Sequence, residues 1–157
     1  IRVHQTEVNR PALELTGYFD HFAAGRIQLI GLVEHSFIEQ MDEEAEREVF
    51  DKLFSLDVPM VIFTRGLYPD DIIMEIGRKH GMPMYLTTQA TSPFMAEMKR
   101  FELLRRGSPD LPHFECGPFS HLGTSPHYSS QISIYEIRCF RQLSFILYVF
   151  NGNCKLK

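Results

Sequence analysis

The sequence has no excess of positive charge, no hydrophobic run long enough to span a bilayer, and too few cysteines for a disulfide framework. Sixteen basic residues stand against 20 acidic ones, a net charge of −4. That balance argues against a grip on a phosphate backbone and so against nucleic acid as a partner. The longest nearly unbroken apolar run covers residues 143–150, with Ser144 inside it. It falls far short of the roughly 20 residues a spanning helix needs, so no membrane association is expected. Cys116, Cys139 and Cys154 are an odd number at no disulfide-like spacing, which fits a reducing compartment. No secretory pattern precedes Ile1, and position 1 is not methionine. The chain therefore reads as a piece of something longer, cytoplasmic by default.

What is present suffices for a folded core. Hydrophobic residues make up 44% of the 157 positions and charged residues 23%, the balance of a globular chain of one domain or one and a half. The distribution is uneven. All seven methionines precede residue 99 and all three cysteines follow residue 106. Residues 1–106 hold 12 basic against 17 acidic side chains, net −5, and residues 107–157 hold 4 against 3, net +1. A Gly107-Ser108-Pro109 turn signal marks the division, placing one domain at 1–106 and a different segment at 107–157.

The front part reads as alternating strands and helices. Residues 27–33 have the length and branched content of a strand, weakened by Gly31. Asp42 is positioned to cap a helix reaching about Leu56, with Glu43, Glu44 and Glu46 at its positive end and Glu48 spaced to pair with Lys52. Residues 59–63 form a short, nearly continuous apolar run, as expected of a strand covered on both faces. Pro69 opens the next helix, Asp70 and Asp71 occupy its first turn, Arg78, Lys79 and His80 its last, and Gly81 and Pro83 stop it. A strand at 84–87 and a helix from Ser92-Pro93 repeat the unit. The pattern predicts an α/β fold, a three-layer sandwich with a largely parallel or mixed sheet flanked by helices.

Ligands of such sheets collect beyond the carboxyl ends of the strands. Here those positions hold Thr64, Arg65 and Gly66, then Thr87, Thr88 and Thr91. Arg65, Gly66, Thr87 and Thr88 are the candidate ligand-binding residues, suited to an anion or sugar phosphate. The plainer reading makes the threonines helix caps and leaves Arg65 solvated or paired with Asp70 or Asp71.

The stretch from Asn9-Arg10-Pro11 through Gly17-Tyr18-Phe19-Asp20, then Gly25-Arg26-Ile27-Gln28-Leu29-Ile30-Gly31, closely resembles the N-terminal domain of the bacterial HPr kinase/phosphorylase family. Val33-Glu34-His35-Ser36-Phe37, Thr64-Arg65-Gly66-Leu67, His80-Gly81-Met82-Pro83 and Ala90-Thr91-Ser92 extend the match collinearly over about residues 3–102. Ala12 and Pro93 depart from the usual motif, where glycine and arginine are common. The resemblance implies a fold similar to the Mur ligase substrate-recognition domain. It also implies a cytoplasmic, hexameric protein of carbon catabolite control and the sugar phosphotransferase system. That family uses ATP and Mg2+ to phosphorylate a serine of HPr and also removes the phosphate.

The family's chemistry resides in a C-terminal domain with a P-loop. No G-x-x-x-x-G-K-[S/T] occurs in these 157 residues, and Gly152-Asn153-Cys154-Lys155 has the wrong spacing. No catalytic residue, metal ligand or cofactor is therefore assigned to this chain, and the expected function is a non-catalytic regulatory or assembly domain. Its expected partners are its own catalytic domain or further copies of itself, with HPr met through the missing domain. The alternatives are a small-molecule module for a sugar phosphate or nucleotide sugar, and activity completed in trans. Arg10, Asp20 and Arg26, charged residues within the most family-like stretch, are candidates for an inter-domain or ligand contact; capping and solvation is the plainer reading.

Beyond Glu102 the resemblance stops. Residues 131–139 and 143–150 are dense in branched and aromatic side chains and read as two strands within an irregular or β-prone tail. Either a frame change or a genuine module accounts for the shift in composition, and the first predicts poor order. His113, Cys116, His121 and His127 invite a zinc reading, but their spacing fits no common framework, and metal is not assigned.

Overall fold

The computed structural model describes residues 7–107, 133–139 and 143–149. Its elements run β1 (Val8–Asn9), a single 3-10 turn (Glu14–Thr16), β2 (Ile27–Ile30), α1 (Leu32–Ile38), α2 (Glu43–Ser55), β3 (Val61–Phe63), α3 (Asp71–His80), β4 (Met84–Leu86), α4 (Thr91–Gly107), β5 (Ser133–Cys139) and β6 (Leu143–Val149). The first four strands lie parallel in chain order, with Gln28 opposite Val61 and Val61 opposite Met84. Every residue of β2, β3 and β4 is buried. Both faces of the sheet are therefore covered, and the α/β fold expected from the alternation is the fold observed.

Side-chain alternation along the strands separates the two faces. Ile30, Val61, Phe63, Met84 and Leu86 join Phe50, Leu53 and Phe54 of α2 and Ile73 and Ile76 of α3 in one core. Leu29, Ile62 and Tyr85 alternate with them and face the other way. Phe94 and Met98 of α4 are likewise buried outside that core. The helix signals behave as read. Asp42 accepts from the Ala45 N–H and Asp70 from the Ile73 N–H, both at 2.9 Å. Gly81, at φ +63°, ends α3 in the left-handed region.

Three expectations need correction. The strand read over 27–33 ends at Ile30; Leu32 and Val33 instead open α1, where they are exposed. Gly31 supplies the break, because its N–H turns to the Glu34 carboxylate at 2.9 Å rather than continuing a ladder. The short edge strand β1 was not anticipated, since two residues carry no periodicity; it is fixed by the Asn9 amide donating to Gln28 Oε1 at 2.9 Å. Lys52 does not reach Glu48 but lies over the Phe19 ring, 4.4 Å from its centroid.

The two strands read in the tail are β5 and β6, paired antiparallel with Ser133 opposite Val149. β6 also runs antiparallel to β4, giving the order β1-β2-β3-β4-β6-β5. His113, Cys116, His121, His127 and Cys154 lie outside the described residues. Among the described residues no helix is long and apolar enough to cross a membrane.

Phe50 is fully buried in the α2 core whereas Asp42 acts only through its cap. Phe50→Ala is expected to cost about 3–5 kcal/mol and Asp42→Ala about 1 kcal/mol. Urea denaturation of the two variants measures the difference; equal losses would contradict this packing.

Candidate functional site

The carboxyl ends of β2, β3 and β4 converge on one polar cluster. Its centre is Glu34, whose side chain is 2% exposed. Arg10 reaches it from the segment after β1, with Nε donating to Oε1 at 2.9 Å and Nη2 to Oε2 at 3.0 Å. Gly31 donates its N–H to the same carboxylate. Such a two-pronged guanidinium contact is the strong form of this interaction. Gly31 is required sterically as well, since a Cβ there would stand 2.6 Å from Thr91 Oγ1 and 3.1 Å from Glu34 Oε2.

The threonines face inward. Thr64 and Thr91 share a hydroxyl hydrogen bond of 2.7 Å, and the Thr64 N–H donates to the Ile30 carbonyl at 3.0 Å. These contacts tie the end of β3 to β2 and to the start of α4. Thr87 is buried, and its hydroxyl accepts from the Gln89 N–H at 3.2 Å. Thr88 is exposed.

Arg65 and Gly66 form a left-handed pair, at φ +61° and +68°. An L side chain at such a φ costs roughly 1–2 kcal/mol. The neighbouring backbone holds it there: the Arg65 N–H donates to the Gln89 carbonyl and the Gly66 N–H to the Thr87 carbonyl, both at 2.8 Å. The turn thus brings Arg65, Gly66 and Thr87 together through main chain, while the Arg65 side chain is exposed. No ion pair joins Arg65 to Asp70 or Asp71 among the described residues.

The second set of candidates is dispersed. Arg10 belongs to the Glu34 cluster. Arg26 pairs with Glu7 at 3.0 Å, both side chains nearly half exposed, and Asp20 is exposed. Glu34 was missed as a candidate because a charged residue inside an apolar run reads as surface. A Glu three places after a glycine, with α1 starting between them, is the signal that could have found it.

A groove of about 560 Å3 lies elsewhere, between the 3-10 turn and α2, lined by Leu15, Phe19, Phe37, Met41, Val49 and Lys52 among others. Nothing in the sequence pointed to it, because its walls come from three separate segments. Among the described residues no three His, Cys, Asp or Glu side chains are placed to hold a metal.

Comparison with known proteins agrees with the geometry. A family model described as HPr Serine kinase N terminus matches residues 1–101. An HPr kinase/phosphorylase of Lachnoclostridium phytofermentans is 40% identical over 101 residues, which are 64% of this chain and 33% of that protein. The Caldicellulosiruptor bescii protein of the same name is 32% identical over 100 residues, 64% of this chain and 32% of its own. One from Leptospira biflexa is 37% identical over 94 residues, 60% and 29%. The chain belongs to the HPr serine kinase N-terminal family, and it spans about a third of the length of the curated relatives it matches.

Arg10→Ala leaves the Glu34 carboxylate buried without its cation. A loss of about 2 kcal/mol is expected, discounted from a fully buried pair because Arg10 is partly hydrated. Arg26→Ala, at an exposed pair, should cost under about 1 kcal/mol. Chemical denaturation of both variants tests the ranking, and a reversed order would remove the cluster from its central place.

Proposed function

We propose that this family member is a regulatory and assembly domain of an HPr kinase/phosphorylase-like protein of carbon catabolite control, and that it does not itself transfer phosphate. The observation carrying this reading is the state of the strand ends. The N–H groups of Gly31, Arg65 and Gly66 are already bonded within the chain, and the Thr64 and Thr91 hydroxyls are bonded to each other.

Phosphoryl transfer from a nucleotide needs free N–H groups around the phosphates, a lysine that reaches them, and a hydroxyl for the metal. The strand-end residues do not fit ATP or Mg2+ on that criterion, because their donors are spent on carbonyls and on Glu34. In this reading the serine phosphorylation of HPr and its reversal belong to a different part of the whole protein. The relatives' greater length supports that division.

What this region offers instead is a rigid body with a few free charges. Arg10 and Arg26 are engaged, so the exposed Asp20 and the exposed Arg65 are the candidates left for a contact with a catalytic domain or another copy in a cytoplasmic oligomer.

Titration calorimetry with ATP and Mg2+ tests the reading. The expected result is no saturable heat of binding by this chain at nucleotide concentrations up to the millimolar range. Tight, saturable binding would overturn the non-catalytic assignment, and loss of that binding in Arg65→Ala would place the site at the strand ends.

A further inference from the structure

We propose that the outer edge of β5 pairs antiparallel with the β5 of a second copy of this chain, about a two-fold axis at Ile137, so that two sheets become one. The pairing goes beyond the function proposed above and does not rest on it, because β5 lies past residue 101, where the family match ends. β5 stands last in the order β1-β2-β3-β4-β6-β5, and among the described residues no strand lies beyond it. Its seven residues pair one-to-one with β6, from Ser133 opposite Val149 to Cys139 opposite Leu143, without a bulge. In such a ladder every second residue turns its N–H and C=O away from the partner. A regular edge of this length is a template for a further strand, and it lacks the proline or lysine that commonly blunts one. The opposite edge, β1, is two residues long and offers too little main chain.

The charges of β5 select the occupant. Glu136 stands opposite Ile146 and Arg138 opposite Ser144, and β6 carries no charged residue. Within the hairpin, neither charge is placed opposite one of the other sign. Glu136 and Arg138 are two positions apart and therefore share one face of the sheet. An antiparallel neighbour carrying the same two residues in reverse order sets Glu136 opposite its Arg138 and Arg138 opposite its Glu136 at once. A second copy of β5 is such a strand.

Symmetry then restricts the register, because at the axis a residue must face its own copy. With the axis at Glu136 all seven residues overlap, but glutamate faces glutamate, which is destabilising. With the axis at Tyr135, Glu136 faces Ile134 and Arg138 falls beyond the end of the other strand. With the axis at Ile137, residues 135–139 overlap, Tyr135 faces Cys139, and both unlike-charge pairs form. Registers centred further out overlap less. The two charges thus penalise the longest overlap and favour the shifted one. The assembly also closes at two copies, since each spends its long edge on the other and only the β1 edges remain outside.

Sedimentation equilibrium of the whole 157-residue chain, from micromolar to millimolar concentration, tests the pairing beside Glu136→Arg, Arg138→Glu and the double exchange. The parent should show a monomer–dimer equilibrium. Either single substitution sets like charges opposite each other in both pairs and should weaken the dimer by roughly tenfold or more. The double exchange restores unlike charges and should return the dimer to near the parent's strength. A parent that stays monomeric overturns the proposal, as does a dimer that the single substitutions leave unchanged or the double exchange fails to restore. Should a variant fail to fold, hydrogen exchange of the parent decides: protection of the outward-turned β5 amides that rises with protein concentration supports the pairing, and protection independent of concentration overturns it. No readout involves nucleotide, so failure of this pairing and failure of the non-catalytic assignment are told apart.

Discussion

One buried carboxylate organises the carboxyl end of the sheet. Glu34 receives Arg10 from the segment after β1 and the Gly31 N–H from the end of β2, and the space beside Gly31 is closed by this carboxylate and by Thr91 Oγ1 at the start of α4. An unpaired carboxylate at that depth would cost several kcal/mol. The two chain segments that bond it are therefore placed where the carboxylate's oxygens need them. This explains why residue 31 must lack a side chain, and why β2 stops three residues earlier than its apolar run suggests. It also anchors the two-residue strand β1, too short to hold itself by ladder bonds alone.

The long elements were legible because local and tertiary preferences agree in them. In α3, Asp70 caps, the apolar Ile73 and Ile76 face inward, and Gly81 closes the helix; each feature is written within a dozen consecutive residues. The sites were less legible because they depend on separations that no window spans. Arg10 and Glu34 are 24 residues apart, and Thr64 and Thr91 are 27 apart. The strand-end candidates show the limit of residue type as a guide. Thr64, Thr87 and Thr91 stand where a ligand would dock, but their hydroxyls turn inward to each other and to main chain. Arg65 was read for its charge, whereas its defining property is a left-handed backbone that only hydrogen-bond geometry reveals.

The seam between α2 and α3 combines two kinds of polar contact with different dependence on solvent. On its outer side Arg47 pairs with Glu75 and Asp51 with Lys79 and His80, all on partly exposed side chains. The Lys79 and His80 hydrogen bonds hold the Asp51 carboxyl below its ordinary value. Such pairs are screened by salt and contribute modestly. On its inner side Glu46 is removed from water, with Oε1 unpartnered among the described residues, where screening is weak.

These constraints bear differently on the strand ends and on the sheet edge. At the strand ends the N–H groups of Gly31, Arg65 and Gly66 and the Thr64 and Thr91 hydroxyls are already bonded, so a ligand using them would have to break existing bonds before making its own; the Arg65 side chain is exposed there and Gln89 Oε1 is buried without a partner among the described residues. On the β4 side the hairpin of β5 and β6 continues the sheet, so the β4 edge is already covered and is not open to a further strand. Among the described residues the exposed large hydrophobics are Leu32, Val33 and Phe37 of α1, Leu13 and Tyr18 before β2, and Tyr68 after β3. Three of these six side chains sit on a helix whose first turn is fixed by the Glu34 cluster. That surface is therefore oriented by the same carboxylate that orders the carboxyl end of the sheet.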